Sequence, residues 1–127
     1  MKRLYIAAAL IIISLTIGIF TGKDIKSRGY KHLENIRIIE ACLSKKDFIN
    51  AEKRAKKAAD DFYFNDSSIM YSYYIHRDLS DIGENLYSMH GYIKRKKLNE
   101  YYYVSTLAKR KLLSLIDRED IEFQNLL

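Results

Sequence analysis

Residues 4–20 carry no charged side chain, and only Ser14, Thr16 and Gly18 mildly interrupt their apolar run. As a helix this stretch is roughly 26 Å long. That is the short end of the range for crossing a bilayer, workable where Lys2, Arg3 and Lys23 snorkel outward or the lipid thins. A cleaved export signal has the same plan, a basic start followed by an apolar stretch. Its cleavage site is poor here: Gly22 precedes Lys23, but Phe20 occupies a position that wants a small side chain. Thr16-Ile17-Gly18 fits better and shortens the apolar run. The reading is therefore an uncleaved anchor, or signal-like segment, at 1–22, followed by a helical bundle domain at 23–127.

Orientation follows less directly. Lys2 and Arg3 stand on one side of the run, and Lys23, Lys26, Arg28 and Lys31 on the other. Charge counting alone favours a cytoplasmic domain. Long domains translocate largely regardless of charge, however, and a basic pair abutting an apolar run resembles an export signal. The expected address is a single-pass cell-membrane protein with its domain on the extracytoplasmic face.

The chain has 127 residues, no Pro, no Trp and five Gly, which disfavours a turn-rich β-sandwich or barrel and points to an all-α chain. Its mean hydropathy of -0.27 averages an apolar start with a polar remainder. Outside the anchor the formal charge falls from +6 to +4, because Lys2 and Arg3 leave the count. That is too mild for a nucleic-acid signature. Cys42 is the single cysteine, so no internal disulfide forms, and its position on an apolar stretch marks a small buried hydrophobe.

The periodicity predicts about four helices arranged as two helical hairpins. Leu33, Ile36, Ile39 and Leu43 share one face of a helix continuing from the anchor after softening at Gly22 and Gly29. After a break at Lys45-Lys46, Asp47 caps a second helix with Phe48, Ala51, Ala55, Ala58 and Phe62 on a narrow seam. Asp66 or Ser67 caps a third, carrying Ile75, Leu79, Ile82, Leu86, Met89 and Ile93. Asn99 caps a fourth, with Tyr101, Val104, Ala108, Leu112 and Leu115 inward, and residues 117–127 form a short tail. An offset of fifty residues pairs Ile36 with Leu86, Leu43 with Ile93, Phe48 with Leu98 and Ala58 with Ala108. Each half then reads helix, Lys-Lys, helix.

The Met1-Lys2-Arg3 anchor, the Lys46-Asp47-Phe48-Ile49-Asn50-Ala51 run, Tyr74-Ile75-His76-Arg77-Asp78-Leu79-Ser80-Asp81-Ile82 and the Gln124-Asn125-Leu126-Leu127 ending together resemble domain-of-unknown-function family 4363. The resemblance covers nearly the whole chain. Its most specific part is the element formed by His76, Asp78, Leu79 and Ile82. It implies a small, single-anchor helical protein of spore-forming Gram-positive anaerobes, and the family has no established activity to carry over. Such proteins often carry a Trp in the second helix, where this chain offers Phe62 or Phe64.

His76 with Asp78, Asp81 and Glu84 is the one cluster with the composition of a site, for a metal or small ligand. On a helix its same-face neighbours are Leu79 and Ser80, so the ligand spacing is missing. His32 and His90 stand alone, and phosphate loops, Cys-x-x-Cys pairs and nucleophile elbows are absent from the sequence. The expectation is a non-enzymatic protein without cofactor or metal. Eleven Tyr are the most unusual count. Tyr71, Tyr73 and Tyr74, and Tyr101, Tyr102 and Tyr103, cannot all face inward, so some offer an interaction surface for a protein partner or self-association. The basic runs Lys94-Arg95-Lys96-Lys97 and Lys109-Arg110-Lys111 read first as solvated helix ends, and would also suit an anionic membrane face or cell-wall polymer. Single-stranded nucleic acid would require the domain on the inner side.

Overall fold

In a computed structural model that describes residues 1–66 and 76–126, the described residues are helical apart from the N-terminal Met1 and two turns, at 45–47 and 95–97. Helix α1 spans Lys2–Ser44, α2 spans Phe48–Asp61, a π-helical turn covers Phe62–Asp66, α3 spans His76–Lys94 and α4 spans Leu98–Leu126. α1 packs on α2 and α4, and α3 packs on the same two, so the four helices close around one core.

α1 runs unbroken for 43 residues. Residues 4–18 and Phe20 are exposed and Ile19 half-buried. Beyond them Ile25, Gly29, His32, Ile36, Ile39 and Leu43 are buried at alternating steps of four and three, the spacing of one helix face. The softening expected at Gly22 and Gly29 does not occur. Gly29 has another purpose: a Cβ there would meet Ile116 Cγ1 at 2.9 Å and Cδ1 at 3.1 Å. The missing side chain lets α4 lie close against α1. The pairs Gly29 with Ile116 and Glu40 with Lys109 set these helices antiparallel, Glu40 accepting from Lys109 Nζ at 2.6 Å.

α1 ends in a Schellman turn. The Asp47 amide donates to the Cys42 carbonyl at 2.9 Å and Lys46 to Leu43 at 3.0 Å, with Lys46 in the left-handed region at φ 59. Asp47 then caps α2, its Oδ1 accepting from the Asn50 amide at 3.3 Å. Ala51, Ala55, Ala58, Ala59 and Phe62 line the buried side of α2 and its end, and Phe48 packs partly buried against the same core.

Fifty residues on, the turn repeats bond for bond. Lys97 donates to Tyr92 at 2.9 Å and Lys96 to Ile93 at 3.0 Å, with Lys96 at φ 57. This register starts α4 at Leu98, so Lys97 holds the cap position and Asn99 lies inside the first turn. Asn99 is the better cap by residue type, but the Schellman bonds of the preceding helix decide where the next begins. Residues 117–127 also depart from expectation: α4 continues helically to Leu126, since no Gly or Pro stops it.

Leu79, Ile82, Leu86, Met89 and Ile93 of α3 are all about fully buried, as are Tyr101, Ala108, Leu112 and Ile116 of α4. Ile75 and Ser67 lie outside the described residues, and Asp66 closes the π-helical turn.

Candidate interaction surface

Both Schellman turns lie at the same end of the bundle. Lys96 Nζ sits 5.5 Å from the centroid of the Phe48 ring, which pins the second turn onto the start of α2. Lys45, Lys46, Lys94, Arg95, Lys96 and Lys97 are all exposed there. Arg95 lies over the Tyr92 ring at 5.5 Å and donates to the Gly91 carbonyl at 3.2 Å. Ile49, 70% exposed, lies on the first turn of α2, and Tyr102 and Tyr103, 43% and 68% exposed, lie on the second turn of α4.

This tip is far from the apolar segment. From Phe20 to Ser44 along α1 is ~36 Å. α3 carries the Lys94-Arg95-Lys96-Lys97 run to the end of the bundle opposite residues 4–20. The second basic run is divided: Lys109 pairs with Glu40, and Lys111 donates to Asp81 Oδ2 at 3.2 Å.

A second aromatic surface lies at the other end of α2. The π-helical turn buries Phe62 and leaves Tyr63 and Phe64 exposed. Such turns widen the helix and re-aim its side chains. Tyr63 packs edge-on to Phe64 with centroids 5.2 Å apart and to Tyr87 at 6.2 Å. The Tyr87 hydroxyl donates to Asp60 Oδ1 at 2.9 Å. Desolvation first, then that bond to a carboxylate, raises the Tyr87 phenol above its ordinary value. Phe62, Tyr63, Leu79, Gly83, Glu84 and Tyr87 line a shallow cavity of ≈ 480 Å³ here.

Of the tyrosines expected at a surface, Tyr102 and Tyr103 are exposed, while Tyr101 is fully buried and leaves the surface set. Tyr71, Tyr73 and Tyr74 lie outside the described residues. Of the His76 cluster, the side chains of His76 and Asp78 lie outside the described residues. Leu79 and Ile82 belong to the core, Asp81 is engaged by Lys111, and Glu84 is exposed. His76 and Asp78 occupy the first turn of α3. Among the described residues no group of His, Cys, Asp and Glu is arranged to hold a metal ion. His90 Nε2 meets Glu52 at 3.2 Å, and His32 is buried edge-on to Phe62 with centroids 5.4 Å apart. Cys42 packs half-buried against the core.

Sequence reasoning missed one constellation, where α1 meets α4. Ser105, fully buried, donates to the Tyr102 carbonyl at 3.2 Å and to Glu40 Oε1 at 3.5 Å, and Lys109 reaches the same carboxylate oxygen. The Tyr101 hydroxyl is buried nearby and has no hydrogen-bond partner among the described residues. Burial, reinforced by the Glu40 charge, pushes its phenol far above the ordinary range. No spacing rule links Glu40 to residues so far along the chain.

No family model matches the chain, and no curated protein or solved structure matches it.

Proposed function

We propose that this chain is a membrane-anchored, non-enzymatic interaction module: a single-pass anchor holding two helical hairpins at the extracytoplasmic face. One observation carries the reading. The exposed, uncharged segment and the buried core face occupy the same unbroken helix, α1, with only four residues between Phe20 and the first core residue, Ile25. A linker would let the domain swing, whereas a continuous helix fixes its height and orientation on the membrane. The matched turns at Lys46 and Lys96 support the hairpin arrangement. The exposed aromatic surface of Tyr63, Phe64 and Tyr87 supports a protein partner or self-association, since the rings offer apolar area and the two tyrosines a polar tip. The resemblance to family 4363 agrees with this address.

The test is chemical crosslinking in native membranes combined with protease accessibility on intact cells. The expected result is a specific crosslinked product and a domain cleaved from outside. Monomers alone would overturn the interaction reading, and a fully protected domain would overturn the address.

A further inference from the structure

The charge of the domain is concentrated at one end. Residues 23–127 carry a formal +4, and the two turn segments, residues 45–50 and 94–100, account for all of it: six cations against Asp47 and Glu100. Toward the apolar segment the balance is neutral. In the formal count, residues 22–31 of α1 and 117–126 of α4 together hold five cations and five acids. The antiparallel register that sets Gly29 beside Ile116 brings these two stretches level.

Helix dipoles do not account for six cations at the tip. The negative ends of α1 and α3 lie there, but so do the positive ends of α2 and α4, and the two pairs oppose each other. Backbone preference does not account for them either. Lys46 and Lys96 occupy the left-handed position where glycine is the comfortable residue. Among the described residues no carboxylate pairs with Lys45, Lys46, Lys94 or Lys97.

Resting on the anchor reading, we propose that this tip docks on an anionic lipid bilayer surface opposite the membrane that holds residues 4–20, so that the bundle spans the gap between two surfaces. The tip is ~36 Å along α1 from Phe20, well beyond a Debye length of about 8 Å, so its charges do not act on the anchoring membrane. Five of its six cations are Lys, compact point charges suited to a diffuse anionic surface; bidentate recognition of individual phosphates favours Arg. Tyr102, Tyr103 and Ile49 on the opening turns of α4 and α2 are side chains that settle at a lipid interface. Single-stranded nucleic acid is served by a basic groove that tracks its backbone. The cations here stand instead on two adjacent turns at a bundle end.

The experiment uses the full chain reconstituted in zwitterionic vesicles, to which labelled vesicles with or without phosphatidylserine are added and co-flotation is measured. The protein is expected to capture the phosphatidylserine vesicles and to lose them at about 1 M salt, where screening shrinks to a few Å. The double variant Lys46→Gly with Lys96→Gly removes two charges while relieving both left-handed positions. It should change thermal stability little, the relief at two left-handed positions offsetting the lost Lys96 contact with the Phe48 ring, yet lower capture by roughly tenfold or more. Equal capture of both vesicle types, or capture unchanged in the folded double variant, overturns the proposal. So does binding of a single-stranded oligonucleotide without vesicle capture. Failure of the anchor reading looks different: alkaline carbonate would then strip the chain from the first vesicles, and the bridging geometry would fall with it.

Discussion

Tyr101 shows how little a local pattern says about a polar atom's surroundings. Its helical spacing places it inward, and the ring is fully buried, but the same packing leaves its hydroxyl without a partner among the described residues. A buried unsatisfied hydroxyl costs about 1–3 kcal/mol. Tyr101→Phe should therefore leave stability unchanged or raise it by about 1 kcal/mol, read from urea unfolding at neutral pH. The pH dependence has a definite sign. Because burial raises the phenol in the folded state, the unfolded chain ionises first, so stability present below about pH 10 is lost as pH rises further. Tyr101→Phe should flatten that alkaline decline relative to the parent, and identical slopes would rule out the explanation. Ser105, Glu40 and Lys109 around it belong to the same lesson: each reads as an ordinary helical residue until α1 and α4 are brought together.

At the scale of elements, amphipathic periodicity was legible and termini were less so. α3 presents Leu79, Ile82, Leu86, Met89 and Ile93 inward, and α2 its alanine seam, because a 3.6-residue period leaves one face to bury. Asp47 as a cap was legible for the same local reason. The start of α4 was not, since Lys96 in the left-handed position puts its cap at Lys97, two residues before Asn99. Gly29 reads locally as a soft point, but its contact with Ile116 makes it a close-approach site. Gly29→Leu should destabilise the bundle by about 1–3 kcal/mol through overpacking. Ile116→Ala in the same chain should recover part of the loss, a coupling that a double-mutant cycle measures. Additive effects would show that the two residues do not meet.

For the whole molecule, the division between the exposed segment and the core lies within a single helix. Residues 4–18 contribute no burial, and the core begins at Ile25. A chain lacking residues 1–22 should therefore remain helical and unfold cooperatively, with stability within about 1 kcal/mol of the full protein. Circular dichroism and urea titration check this, and loss of cooperativity would show that the apolar segment supports the fold. The distribution of charge also belongs to this scale. The composition yields only a mild +4 for residues 23–127, whereas the antiparallel arrangement concentrates it beyond Ser44 and neutralises the opposite end.

By itself the sequence determined the all-helical class, the apolar start and the inward faces, because each follows from spacing within a few turns of one helix. Tertiary structure decided what distant segments do to one another. It drew the two lysine turns into one tip, sent the Lys94-Arg95-Lys96-Lys97 run away from the apolar end, placed Ile116 against Gly29 and enclosed the Tyr101 hydroxyl. The physical reason is range: hydrophobic period and capping act through neighbours in the chain, while packing and charge act through neighbours in space.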